Sequence, residues 1–323
     1  MKTPASYESA VQESIRYLGS DEAMRSLDTD TYWPKWNSPW WHVTLLNEMG
    51  LAEQIPERAI LKIVERLAAS PLKIFPIHAH EIPEGLDLYR GSHCHCSLGN
   101  IYQALAAWGV DVDQKLPWMR EWFLRYQLPD GGLNCDDEAY LKEPPPSSMV
   151  GTIAPLEAVL YFTPREFTQE EIQFLDRGAR CLIDRQLMHA TSNPHNQSER
   201  EDEEDWLKLC FPRFYLYDVL RGLTFILSWS DIREQALPRT AIDSVVQHLE
   251  NHFSKNQLRI ERQAYIGIST ISLAGPSKSR EPATLFPLLE SVSQIGDNSP
   301  YLDAHWSDAK NLIASLEARG LLK

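Results

Sequence analysis

Residues 122–160 read WFLRYQLPDGGLNCDDEAYLKEPPPSSMVGTIAPLEAVL, and this stretch decides the fold. An aromatic helix ends in QLPDGG, 127–132. Pro129 cannot continue a helix, Asp130 and Gly131 form a strong turn pair, and both glycines tolerate positive φ. A polar loop with Cys135, Asp136 and Asp137 follows. A second, apolar helix is expected to start near Ser147. The stretch therefore joins an amphipathic helix to a buried one through a tight turn.

The same alternation runs outward in both directions. Amphipathic helices with charged outer faces are predicted at 6–18, 57–69, 113–127, 168–187, 239–253 and 303–319. Helices apolar nearly all round are predicted at 39–49, 93–108, 147–162, 212–229 and 282–295. Ser38 before Pro39 predicts an N-cap with proline at the first helical position. Ser92 is expected to cap the helix from His93, and Thr168 with Glu171 forms a capping box. No stretch alternates like a strand. The pattern recurs about every 50–60 residues, and Gln127, Gln186 and Gln257 each close an amphipathic helix before a polar loop. Fully buried helices alternating with one-sided ones fit an inner ring covered by an outer one. The expectation is a single all-α domain over 1–323. The acidic run at 193–205, with Glu199, Glu201, Asp202, Glu203, Glu204 and Asp205, reads as a solvated loop.

Composition narrows the function. The chain has 323 residues, is 43% hydrophobic and carries a formal net charge of −14. Such an acidic chain is a poor partner for nucleic acid or anionic membrane surfaces. No apolar run reaches the ~18–20 residues of a membrane span. The first 18 residues lack the apolar core of a signal peptide, so the expected location is the cytoplasm. Five cysteines, an odd number, do not read as a disulfide framework. No glycine-rich nucleotide loop, nucleophile elbow or His-Glu-x-x-His pattern occurs.

The helix alternation and the QLPDGG turn resemble the α/α toroid of the terpenoid cyclases and protein prenyltransferase β subunits. QLPDGG is similar to their QxxDGG repeat, which links an outer helix to an inner one. Here Leu133 stands where the family has an aromatic residue, and the turns after Gln186 and Gln257 lack Asp-Gly-Gly. The chain also departs from the family's catalytic motifs. Asp111-Val-Asp113-Gln stops short of the cyclase Asp-x-Asp-Asp, Asn134-Cys-Asp136-Asp137 lacks its first acid, and Asp-Asp-x-x-Asp is absent. The resemblance implies an enzyme acting on an apolar, isoprenoid-type substrate in the toroid cavity. It leaves room for a partner subunit, since prenyltransferase β subunits work with an α subunit.

The densest chemistry is His93-Cys94-His95-Cys96, at the start of a buried helix. The resemblance implies zinc ligands at such helix starts. His93, His95, Cys96, Cys135 and Asp136 are the expected ligands, with Cys94 as an alternate. Zinc or another divalent metal suits thiolate and imidazole donors. Successive helical residues point about 100° apart, so all four of 93–96 cannot meet one ion. Asp136, Glu157, His42 and Tyr215 are candidate catalytic groups. Glu157 lies in an apolar helix and needs a partner or a raised pKa; a structural pair with Arg221 is the competing reading. Trp40, Trp41 and Tyr102 are candidate substrate contacts, and Trp36, Phe214, Tyr215 and Tyr217 extend the aromatic set. Lys278 and Arg280 before the last buried helix suit an anionic head group. Two other functions fit the composition: a carbohydrate-active hydrolase or lyase on an α/α barrel, with Asp136 and Glu157 as acid and base, and a non-catalytic toroid that binds a ligand or protein.

Overall fold

The computed structural model describes residues 6–70, 72–74, 78–82, 84–85, 93–253, 257–265, 269–271 and 280–323. Among these the chain is mostly α-helical. In order the helices are α1 (Glu8–Leu18), α2 (Asp21–Thr29), α3 (Pro39–Glu48), α4 (Glu57–Ala69), α5 (His95–Trp108), α6 (Val112–Lys115), α7 (Trp118–Arg125), α8 (Met149–Tyr161), α9 (Gln169–Asp184), α10 (Gln197–Glu201), α11 (Glu203–Trp206), α12 (Val219–Arg233), α13 (Asp243–His252), α14 (Pro287–Val292) and α15 (Pro300–Ala318). The one described sheet pairs β1 (Ser269–Ile271) antiparallel with β2 (Arg280–Pro282).

The two helix types separate by burial. α3 buries every residue from Pro39 to Leu46, and α8 buries all but Val150 and Tyr161. In α4 only Ala59, Ile60, Ile63 and Leu67 are buried, one stripe at helical spacing. α5 packs along α8, and α12 along α15. Gly99 permits the first contact, because a Cβ there would lie 2.5 Å from the backbone of Ala154 and Pro155.

The QLPDGG turn is a tie between helices. Gln127 Nε2 donates to Gly131 O and to Phe174 O of α9, both at 2.8 Å. Asp130 accepts from Gly132 N at 3.1 Å, from Ser147 Oγ at 2.5 Å and from Arg185 at 3.2 Å. Gly131 holds φ +93°, and a Cβ on it would meet Arg177 O at 2.2 Å. Gly131→Ala combines a strained φ with a backbone clash and is expected to cost about 2 kcal/mol or more, read as a lower urea midpoint.

Several elements differ from expectation. Residues 21–29, where no helix is predicted, form α2, with Ser20 accepting from Ala23 N at 3.2 Å. Pro117 splits the predicted helix 113–127 into α6 and α7. The predicted cap Ser92 lies outside the described residues; Cys94 is the N-cap of α5. The acidic run holds two short helices, and Glu199 within it is buried. Its carboxylate pairs with Arg185 at 3.3 Å and accepts from Asn196 Nδ2 at 2.6 Å and from Met149 N, which ties the run to the start of α8. Residues 282–295 give only α14, because Arg280–Pro282 is drawn into the hairpin and Pro287 starts the helix late. α15, expected on the outside, buries Tyr301, Leu302, Trp306 and Ala309 and packs on α12.

Candidate metal centre

Two segments bring three thiols together. Cys94 caps α5, its N–H donating to Ser97 Oγ at 3.2 Å, and Cys96 follows in the first turn. Their sulfurs lie 3.2 Å apart. Cys135 arrives on the loop after QLPDGG. That loop is pinned on both sides: Leu133 N donates to Thr152 Oγ1 at 2.8 Å, Ser148 N to Leu133 O at 2.8 Å, and Asn134 Nδ2 to Pro146 O at 2.7 Å. His95 clamps it to α5 through Nδ1 and Asn134 O, 2.9 Å apart. A carbonyl only accepts, so Nδ1 carries the proton. The ligand atoms of Cys94, Cys96 and Cys135 lie within 4.8 Å of one another, and the group could hold a metal ion. The amide of Cys96 donates to Cys135 Sγ at 3.3 Å, a bond that by itself favours a thiolate but is outweighed at Cys135 by the neighbouring thiols and burial.

Electrostatics of the thiols are coupled. Bonds from Cys135 and Cys96 hold Cys94 well below the usual thiol range. Cys135 is pushed well up by its bonds to Cys94 and Cys96 and by burial. Cys96 also goes up: its bond with Cys135 favours the thiolate, but Cys94 and burial outweigh it. Negative charge is thus favoured on Cys94 over its two neighbours, and a dication bound by all three would require the remaining protons to leave.

Lys35 faces this charge. Burial lowers its pKa, and Cys96, Cys94 and Cys135 act against that shift. Its Nζ donates to Tyr215 Oη at 3.1 Å and sits 4.9 Å from the Tyr215 ring centroid and 5.5 Å from those of Tyr32, Trp33 and Trp36. Lys35 and Tyr215 also line a pocket of about 340 Å³, with Trp33, Trp36, Trp206 and Arg280 among its walls. Sequence reasoning passed over Lys35. The signal was present in Trp33-Pro-Lys-Trp36: a lysine inside an aromatic run is either solvated at its tip or held for its charge.

The other expected site residues separate. His93 is buried, stacks on Trp40 at 5.4 Å and lies 3.5 Å from Thr31 Oγ1; it is not in the thiol group. His95 positions the loop and also lies outside that group. Asp136 is exposed and caps a 3-10 turn by accepting from Glu138 N at 3.1 Å, because its carboxylate satisfies its own loop rather than turning to the sulfurs. Trp40 and Trp41 are core residues at 1% and 0% exposure, behind the pocket wall. Tyr102 donates to Asp113 at 2.8 Å and accepts from Arg120 at 2.6 Å, in a buried ion-pair network that reaches Glu171. Glu157 is held by Arg221 at 2.6 and 2.9 Å, as a structural pair would be. Arg280 stands at the pocket rim and donates to Ser269 Oγ at 3.1 Å. Lys278 lies outside the described residues.

His42 lies in the core between Phe286, 3.6 Å away and stacked, and Tyr17. Burial lowers its pKa to about 3, and burial with Arg213 lowers His305 to about 3. Both fold as neutral rings, and the unfolded chain binds their protons below about pH 6.5. Stability from these two is therefore present above pH 6.5 and lost as pH falls toward 3. Each is expected to remove about 1 kcal/mol between pH 6.5 and 5.5. Urea midpoints across that interval check this, and a slope unchanged in His42→Phe would refute it.

No described helix is long and apolar enough to cross a membrane. No family description, curated protein or solved structure matches the chain.

Proposed function

We propose that the chain is a zinc-dependent enzyme of the prenyltransferase or terpenoid-cyclase kind, built on an incomplete α/α toroid with α3, α5, α8, α12 and α15 as its inner helices. The observation that carries this reading is the meeting of Cys94, Cys96 and Cys135 from two segments within 4.8 Å. Three thiolates fit zinc and leave a fourth position open. A zinc ion there would supply a Lewis acid, or an activated thiolate or water. Lys35 would offset the negative charge of the ligand set. An apolar chain would lie against Trp33, Trp36 and Tyr215, with an anionic head toward Arg280.

Between the two kinds, the aromatic box favours a transferase. Its faces already hold the Lys35 ammonium, which would repel a carbocation placed among them. An anionic leaving group would be welcome at the same place. A partner subunit belongs to this reading as well.

Elemental analysis of protein purified without a histidine tag tests it. Zinc near one equivalent per chain, with an isoprenoid diphosphate bound in preference to an oligosaccharide, supports the proposal. Folded protein that is metal-free under zinc-replete conditions sinks it.

A further inference from the structure

A second cavity, of about 520 Å³, opens between α3, α5, α8, α12 and α15, and no cysteine lines it. That size suits a small molecule. Most of its charges are compensated within the protein, Arg213 Nη2 and the exposed Asp308 excepted. Glu157 takes the fork of Arg221. Glu48 accepts from Arg213 N at 2.7 Å and Phe214 N at 2.5 Å. Arg213 Nε donates to Asp218 at 2.8 Å.

Beside Arg213 Nη2, which is buried without a partner among the described residues, what stays unsatisfied is neutral. Asn100 is only 4% exposed and lines the cavity, yet no described group bonds its amide. His305, also in the lining, has a fixed tautomer. Arg213 Nη1 lies 2.8 Å from its Nδ1, and a guanidinium only donates, so Nδ1 is the lone-pair nitrogen. In the neutral ring Nε2–H is then the remaining donor. The amide of Asn47 adds a further donor and acceptor to the wall.

We propose that this cavity binds a neutral polyhydroxylated molecule, a sugar or polyol, hydrogen-bonded by Asn100 and His305. A hydroxyl both donates and accepts, so it satisfies an amide and an imidazole N–H together. A hydroxyl also accepts from Arg213 Nη2 without adding charge, whereas an anion there would lie among the carboxylates of Glu48, Glu157 and Asp308. In its absence, water fills so polar a space. Asn100 lies one turn beyond Cys96 on α5, so the two sites share a helix but no lining residue. The proposal stands whether or not the thiols hold zinc.

The test titrates the full chain with glucose, maltose and myo-inositol, with glutamate and putrescine as charged controls. Calorimetry and saturation-transfer NMR read the binding. The expected result is saturable binding of a neutral probe, weakened about tenfold in Asn100→Leu, with thermal melting and metal content unchanged. Asn47→Ala, at a partly buried position, is expected to weaken the same probe severalfold and serves if Asn100→Leu does not fold. Absence of saturable binding by all three neutral probes overturns the proposal. So does preference for a charged control, or binding that survives both substitutions.

Discussion

With zinc on the thiols as proposed, Cys135→Ala is expected to lose the ion while keeping its fold. One of three sulfurs goes, and the two that remain, Cys94 and Cys96, sit two residues apart at one helix start. Changes in groups that merely orient ligands lower affinity by about ten- to a hundredfold, so removal of a ligand should exceed about a hundredfold. Cys135 is only partly buried, and its loop is held by Leu133, Asn134 and His95 rather than by the thiol. Thermal melting without metal should therefore stay close to that of the metal-free wild type. Asp136→Ala is the contrast: its carboxylate caps Glu138 N, and zinc content should not move. Measured zinc against a chromogenic chelator decides both. Loss of metal in Asp136→Ala with retention in Cys135→Ala would show that the ligand set is wrong.

Much of the helical layout was legible because helix period and punctuation are local. Thr168 and Glu171 form the capping box their spacing predicts, and Pro39 opens α3. The short pieces were not legible. The 282–295 segment has helical apolar spacing, yet strand pairing to 269–271 claims its first residue, Pro282. α15 looks amphipathic, and only its packing on α12 reveals that it lines the polar cavity.

The centre was half legible for a similar reason. Residue types and a helix start pointed to 93–96 and 135, but not to which side chains converge. Cys94 and Cys96 project together from the first turn, whereas His93 turns to Trp40 and His95 to Asn134. Lys35 is far away in sequence, and its place beside Tyr215 and the charge of the thiols depends on how 31–38 folds. That is tertiary information no local pattern carries. The tie made by Gln127 and Asp130 has the same consequence for Cys135: the turn sets where its loop lies, while the chemistry belongs to the residues that follow.

The largest stability effect is expected at Arg221. Its guanidinium gives Nε and Nη2 to Glu157 and Nη1 to the carbonyls of Phe214 and Leu216, at 3.0 and 2.7 Å, all within the buried interior. Arg221→Leu removes four donated bonds and leaves the Glu157 carboxylate with Gln103 as its one remaining described partner, 3.2 Å away. Breaking a buried pair from one side costs about 3–5 kcal/mol, because the surviving charge has lost both water and its counterion. Removing both charges is different in kind. Glu157→Leu with Arg221→Leu leaves no orphaned carboxylate, although the two carbonyls still lack donors, and should recover part of the loss. Urea denaturation of the two single variants and the double variant forms a cycle that separates these terms. A double variant less stable than Arg221→Leu alone would mean that Glu157 is held by more than its arginine. A mild Arg221→Leu would mean that water reaches the pair through the cavity it borders, and that the carboxylate is free to meet a ligand there.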